Sequence, residues 1–175
     1  MSPRSSALAA TAAVLLVLPA ACSDEPMPGT VLGTYAVKAS LQSSTCGSGL
    51  ETPNPWVFDV QLSQDRSTLY WSRLDGSPLL SSALGSGGTT TLTSTLAENV
   101  DTTSDGGAGP CTMQRDDTIQ ITLSPGSPPG AFAGNMVYAY TVPSGYDCSD
   151  QLAIVGGMYA ALPCTVTYSM TAGRQ

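Results

Sequence analysis

Histidine is absent from this chain of 175 residues, and charged side chains make up only 11% of it. Without histidine, the commonest general base and the middle residue of a serine or cysteine triad are both missing. A Ser-x-x-Lys dyad is missing too, because Tyr35 stands three residues before the single lysine, Lys38. Asp116 and Asp117 remain as candidate carboxylates, but neighbours along a strand point to opposite faces. We therefore expect no catalytic residues, no cofactor and no enzymatic activity.

Basic residues are also scarce, since 6 lysines and arginines stand against 13 aspartates and glutamates, for a formal net charge of -7. Nucleic-acid binding needs a basic stripe that follows the phosphates. Scattered arginines on an acidic domain cannot supply one, and an anionic membrane surface would repel the same charge. No nucleic-acid partner is expected.

Long apolar runs are missing except for one, from Leu8 to Leu18, which follows Arg4 and precedes the small residues Ala20 and Ala21. A helix needs about 20 apolar residues to cross a bilayer, so this run is too short to span one. A basic start, an apolar middle and a small-residue end are typical of a signal peptide. The pattern predicts that residues 1–21 are removed on export.

The end of this segment, Leu18-Pro19-Ala20-Ala21-Cys22, resembles the lipobox of bacterial lipoproteins. In that family small residues precede a cysteine whose sulfur receives a lipid and which becomes the mature N-terminus. This chain departs from the pattern at Pro19, since the usual aliphatic residue lies one position further out, at Leu18. The resemblance implies lipidation at Cys22, and the alternative is ordinary cleavage that leaves Cys22 free.

Residues 22–30 are rich in Pro, Gly, Ser and acidic side chains, which is typical of a flexible tether. Together with the lipobox resemblance, this tether implies a domain anchored to a membrane through its N-terminal lipid. We expect a location in the cell envelope, on the outer membrane if the bacterium is Gram-negative, with the domain on its periplasmic or extracellular face.

Four of the five cysteines remain if Cys22 carries a lipid, and an even number in an exported chain implies two disulfides. Metal binding is not expected, because the chain has no Cys-x-x-Cys pair and no histidine. The four residues are Cys46, Cys111, Cys148 and Cys164. They allow three pairings, and choosing among these requires a topology.

Alternation of apolar and polar residues dominates the rest of the chain, interrupted by clusters of Gly, Pro, Ser and Asp. Such alternation is typical of antiparallel strands with one buried face. The one candidate for a helical turn is Ser149 to Ile154. The predicted strands are 34–41, 56–63, 68–74, 79–84, 89–97, 118–123, 132–142 and 165–171.

About eight short, evenly spaced strands predict a single all-β domain over residues 31–175. Short links favour a small up-and-down β-barrel, similar to lipocalin-like barrels in strand count and alternation alone, and a β-sandwich is the alternative. In a closed meander the first and last strands are neighbours, so Cys46 should pair with Cys164. By the same reasoning Cys111 should pair with Cys148, and Cys148 with Cys164 is the rival pairing.

Aromatic residues are few, at 6% of the chain, and several lie at or next to inward strand positions. In a small barrel such residues either fill the interior or line a ligand cup. We expect a non-enzymatic envelope module that binds a small apolar ligand or an envelope protein, and the alternative is a structural envelope lipoprotein without a ligand. The candidate ligand-binding residues are Trp56, Phe58, Trp71, Tyr138 and Tyr140.

Overall fold

The computed structural model of the protein describes residues 26–101 and 110–175. The predicted signal peptide, Cys22 and the start of the predicted tether lie outside these residues. Within the described ranges there is no helix long and apolar enough to pass through a bilayer. The elements are eight β-strands: β1 (Thr30–Ser44), β2 (Trp56–Asp65), β3 (Thr68–Arg73), β4 (Leu80–Ala83), β5 (Thr89–Asp101), β6 (Pro110–Leu123), β7 (Ala131–Thr141) and β8 (Cys164–Arg174).

All eight strands belong to one nearly closed, barrel-shaped sheet, and every ladder in it is antiparallel. Their order in space is β4-β3-β2-β1-β8-β7-β6-β5. The chain thus runs as a meander whose first and last strands pair, with Ala39 opposite Met170. The predicted all-β barrel is confirmed. Short 3₁₀ turns occupy the predicted helical stretch, at Ser149–Gln151 and Ala153–Val155.

The barrel has one seam, because β4 and β5 share no backbone ladder along their described residues. β4 is only 4 residues long, and Pro78 before it and Gly85 after it limit its extension. A side chain bridges the seam instead, since the Thr90 hydroxyl donates to the Ala83 carbonyl oxygen at 2.9 Å. The barrel is therefore closed between the first and last strands, β1 and β8, and open between the two middle strands, β4 and β5.

The two ends of the barrel differ. The tether end holds the start of β1, the end of β8 and the short turns 66–67, 84–88 and 124–130. The loop end, opposite to it, holds the loops 45–55, 74–79 and 142–163. Because the strands alternate in direction, the start of β1 and these loops lie at opposite ends of the barrel. The segment 26–28 before β1 lies along the outer face and shares a groove with Leu74 and Leu79 of the 74–79 loop.

Close packing fills the barrel toward the tether end. The Phe132 ring lies between Tyr35 and Trp71, with centroids at 5.5 and 5.6 Å. The Tyr35 phenol donates to the Pro129 carbonyl oxygen at 2.7 Å, which satisfies its buried hydroxyl. Other fully buried inward side chains here include Val37, Val60, Leu62, Leu69, Ile121, Met136 and Met170.

Both predicted disulfides are present and confirmed, Cys46–Cys164 and Cys111–Cys148, with Cα–Cα distances of 5.0 and 4.9 Å. Both lie at the loop end, where they attach the 45–55 loop to β8 and the 142–163 loop to β6. Disulfides persist in oxidising compartments, so they indicate an exported environment.

Replacing the two cysteines of either disulfide by alanine should lower the free energy of unfolding by about 2 to 4 kcal/mol, because the unfolded chain gains freedom. Cys46 and Cys164 are 118 residues apart and Cys111 and Cys148 are 37 apart. Loop-closure entropy then makes the loss about 1 kcal/mol larger for the first pair. Urea unfolding of both double variants measures this difference, and a larger loss for the second pair would contradict it.

Candidate functional site

An open cup of about 330 Å³ lies at the loop end of the barrel. Its volume is within the range of small-molecule pockets. The strands supply inward side chains, and the loop after β1 forms one side of the rim. The cup is lined by Leu50, Glu51, Thr52, Pro53, Trp56, Arg73, Ser77, Arg115, Tyr138, Tyr140, Val166 and Tyr168.

A larger groove, of about 530 Å³, lies on the outer face of the barrel beneath the N-terminal segment. Residues 26–28 form one side of it, and Gln61 and Ser72 of β2 and β3 contribute to the other. Its lining combines a peptide segment with outward strand positions. The cup is the better candidate site because inward side chains from several strands converge in it.

Aromatic rings form a continuous wall of the cup around Trp56. The Trp56 ring centroid lies 4.9 Å from Phe58, 6.1 Å from Tyr138 and 5.6 Å from Tyr168. Tyr138 and Tyr168 in turn meet edge to face at 6.5 Å. These separations are those of interacting aromatic pairs. The rings are tilted to one another by 43° to 78°, so the wall offers a faceted aromatic surface to a bound molecule.

The five candidate ligand-binding residues are not all in one place. Trp56, Tyr138 and Tyr140 line the cup, whereas Phe58 packs beside it against Trp56. Trp71 lies deeper, against Phe132, and borders a separate cavity of about 60 Å³. Alternation indicates which face of a strand a residue occupies but not its height in the barrel. The binding role of all five stays a prediction.

Arg73, which the sequence analysis did not select, lies among the aromatic rings. It continues the inward series of β3 after Trp71 and stands opposite Val60 of β2. Its guanidinium carbon is 4.6 Å from the Trp56 ring centroid and 4.7 Å from that of Phe58, which is cation–π geometry. One Nη donates to the Asp75 carboxylate. The Nε–H is buried and finds no acceptor among the described residues.

Arg115 is a second arginine in the cup, and its charge is balanced inside the barrel. Its Nε and Nη2 donate to the two carboxylate oxygens of Asp117 at 2.7 and 2.9 Å. The guanidinium also lies 4.9 Å from the Tyr138 ring centroid. Burial by itself would lower the pKa of Arg115, but hydrogen bonding and the charge of Asp117 outweigh it and raise that pKa. The Arg115 guanidinium is therefore charged at neutral pH.

The tyrosines of the cup are neutral donors. Burial raises the pKa of Tyr138 and of Tyr140, although the nearby arginine charges oppose this. Burial likewise raises the pKa of Tyr168. The Tyr138 hydroxyl donates to the Met136 sulfur at 3.0 Å, which is a weak acceptor. Each of these phenol hydroxyls can donate one hydrogen bond and also accept.

Asp116 and Asp117 point to opposite faces of β6. Asp116 accepts from the Thr95 hydroxyl at 2.7 Å and from the Gln114 amide on the outer face, and these hydrogen bonds lower its pKa. Asp117 faces inward to Arg115. The two carboxylates do not converge on one site. Across the described residues, no group of three or more Cys, Asp or Glu side chains is placed to hold a metal ion.

Two residues that matter in the cup, Arg73 and Arg115, carried a signal in the sequence. Both occupy inward positions in strands whose other inward residues are largely apolar, such as Leu69 and Ile119. A charge at such a position must either be paired inside the protein or serve a ligand. The absence of the usual catalytic residue types drew attention away from these arginines.

Alkaline pH should lower the free energy of unfolding, because a phenol is buried at the loop end of the barrel. Burial raises the pKa of Tyr159 from 10.0 to about 12, so the unfolded chain loses this proton first. The stabilisation is complete below pH 10 and is lost as the pH rises to about 12. Tyr159→Phe should therefore weaken the fall in unfolding free energy across this interval.

Denaturant unfolding at a series of pH values tests this expectation. Tyr146→Phe is the matched control, because it removes a phenol that is exposed in the folded chain. An alkaline profile that is unchanged in Tyr159→Phe would contradict the prediction.

Comparisons with known proteins give no relative for this chain. No protein-family model matches it, and neither the curated proteins nor the solved structures contain a match. The role of the cup is therefore inferred from its own residues.

Proposed function

We propose that this protein is a non-enzymatic binding module of the bacterial cell envelope that holds a small, largely apolar ligand in the cup. The observation that carries the proposal is a change of packing along the barrel axis. Side chains fill the barrel interior toward the tether end, where a cavity of about 360 Å³ is lined mainly by residues of the turns 84–88 and 124–130. At the loop end the cup of about 330 Å³ is instead walled by the inward side chains Trp56, Tyr138 and Tyr168. Concave, aromatic-lined sites of this size are typical of small-molecule binding.

The rim of the cup is held in place, which supports a binding role. The 45–55 and 142–163 loops are joined by a hydrogen bond from the Ala160 amide to the Cys46 carbonyl oxygen at 2.7 Å. The Asn54 side chain accepts from the Leu41 amide at 3.2 Å, and both disulfides brace this end. A rim fixed before binding lowers the entropy cost of association.

Lipidation at Cys22 and export through the signal peptide belong to the same proposal. The described chain enters β1 at the tether end, opposite to the cup. A lipid on Cys22 would tether the domain to the membrane through the segment that begins at residues 26–28, on the outer face of β2 and β3 beside Leu74 and Leu79. The cup would then be open to molecules of the periplasm or of the cell exterior.

Native mass spectrometry of protein purified from its own host tests the ligand. We expect a bound small molecule that is released on unfolding. Trp56→Ala should lower its occupancy about tenfold or more, because a central ring of the wall is lost. Val57→Ala is the matched control, since Val57 is the outward, 65% exposed neighbour of Trp56. Wild-type protein that is consistently empty would favour the structural role without a ligand.

Metabolic labelling with a palmitate analogue tests the anchor. We expect label on the wild-type protein and none on Cys22→Ser, which should also leave the membrane fraction. The four remaining cysteines are paired in the fold, so the label has one site. Wild-type protein without label would show that Cys22 is not lipidated, whatever the cup binds.

A further inference from the structure

Two arginines bring charge into the cup of an acidic protein. The chain has a formal net charge of -7, yet two of its few basic side chains, Arg73 and Arg115, line the cup. Each has an aspartate partner, Asp75 and Asp117 respectively, and Glu51 lines the exposed rim. Placing charge in a barrel interior costs free energy. An anionic group can therefore bind in the cup only by taking the place of one of these partners.

Arg115 is not the residue available to a ligand. Its Nε and one Nη are engaged by both carboxylate oxygens of Asp117, which is buried. Separating that pair would leave an uncompensated charge inside the protein. Arg115 therefore keeps Asp117 as its partner and serves as a fixed part of the wall.

Arg73 is available, because its partner can be exchanged. The Asp75 side chain is 46% exposed and the Arg73 side chain 16%, so water reaches the carboxylate of this pair far more than that of Asp117, which is 11% exposed, and screens the pair more strongly. Asp75 also accepts from the Ser77 hydroxyl at 2.7 Å and from the Ser77 amide at 3.2 Å, so it keeps partners without Arg73. The guanidinium still has donor capacity, since Asp75 accepts from only one of its Nη groups. Stacking on Trp56 holds it at the wall of the cup.

We infer that Arg73 binds an anionic head group, and that the ligand of the cup is a small organic anion with an apolar body. A carboxylate or sulfonate would accept from the guanidinium in place of Asp75. The body of the ligand would lie against Trp56 and Tyr168, which a 330 Å³ cup accommodates. This inference rests on the proposed function and adds a class of ligand to it.

Two fluorescent probes with the same ring system distinguish the effect of charge on affinity from the effect of shape. Anilinonaphthalene sulfonate carries an anionic sulfonate, and N-phenylnaphthylamine is its uncharged parent. A hydrogen-bonded charge pair in the cup should make the wild-type protein bind the sulfonate about tenfold more tightly. Binding is measured by fluorescence titration on the full folded domain, and competition between the probes shows that they share one site.

Arg73→Gln should abolish the preference for the sulfonate, because it should lower the affinity for the sulfonate about tenfold more than the affinity for the neutral probe. Arg66→Gln is the matched control, because it removes the same charge at the turn of the tether end. Trp56→Ala should weaken the binding of both probes, which distinguishes binding in the cup from binding to the exposed apolar side chains Ile154 and Val155. Thermal unfolding of each variant verifies that it is folded.

The possible outcomes separate the two ideas. Equal affinity of the wild-type protein for the two probes, or a preference that survives Arg73→Gln, would overturn the anionic head group and leave the binding cup standing. Failure of both probes to bind, or binding that Trp56→Ala does not weaken, would count against the cup itself. Loss of the preference in Arg73→Gln alone supports the inference.

Discussion

Pairing of the first strand with the last is the constraint on which this structure depends. Ala39 of β1 lies opposite Met170 of β8, so a ladder joins residues from the two ends of the domain. That ladder curves the meander into a barrel and brings Cys46 within disulfide distance of Cys164. It also fixes which connections share an end of the barrel, because successive connections between antiparallel strands alternate between the tether end and the loop end.

Much of the fold could be predicted from the sequence, because alternation is a local property and the barrel buries one face of each strand. Eight predicted strands match eight observed ones, and the topology that followed from short links gave both disulfides. The seam was not predicted. It depends on how far the 4 residues of β4 can reach toward β5, which no local pattern encodes.

The cup was only partly predictable for a related reason. Whether Trp71 lines an opening or fills the core depends on its height in the barrel, and height is set by the registers of all the strands together. Arg73 and Arg115 differ in role through their partners, Asp75 being exposed and Asp117 buried. The exposure of each partner depends on where it lies in the folded barrel, and the sequence does not specify that position.

The seam has a mechanical consequence for the barrel. A cylinder in which every strand is hydrogen-bonded to both neighbours can change its bore only by breaking a ladder. Here the ladder between β1 and β8 joins the two halves of the sheet. The free edges of the sheet, β4 and β5, are bridged by the Thr90 hydroxyl. At the tether end the 84–88 turn and a hydrogen bond from the Gly85 amide to the Thr89 carbonyl oxygen at 2.8 Å also join these edges, so they can separate at the loop end without the loss of a backbone ladder.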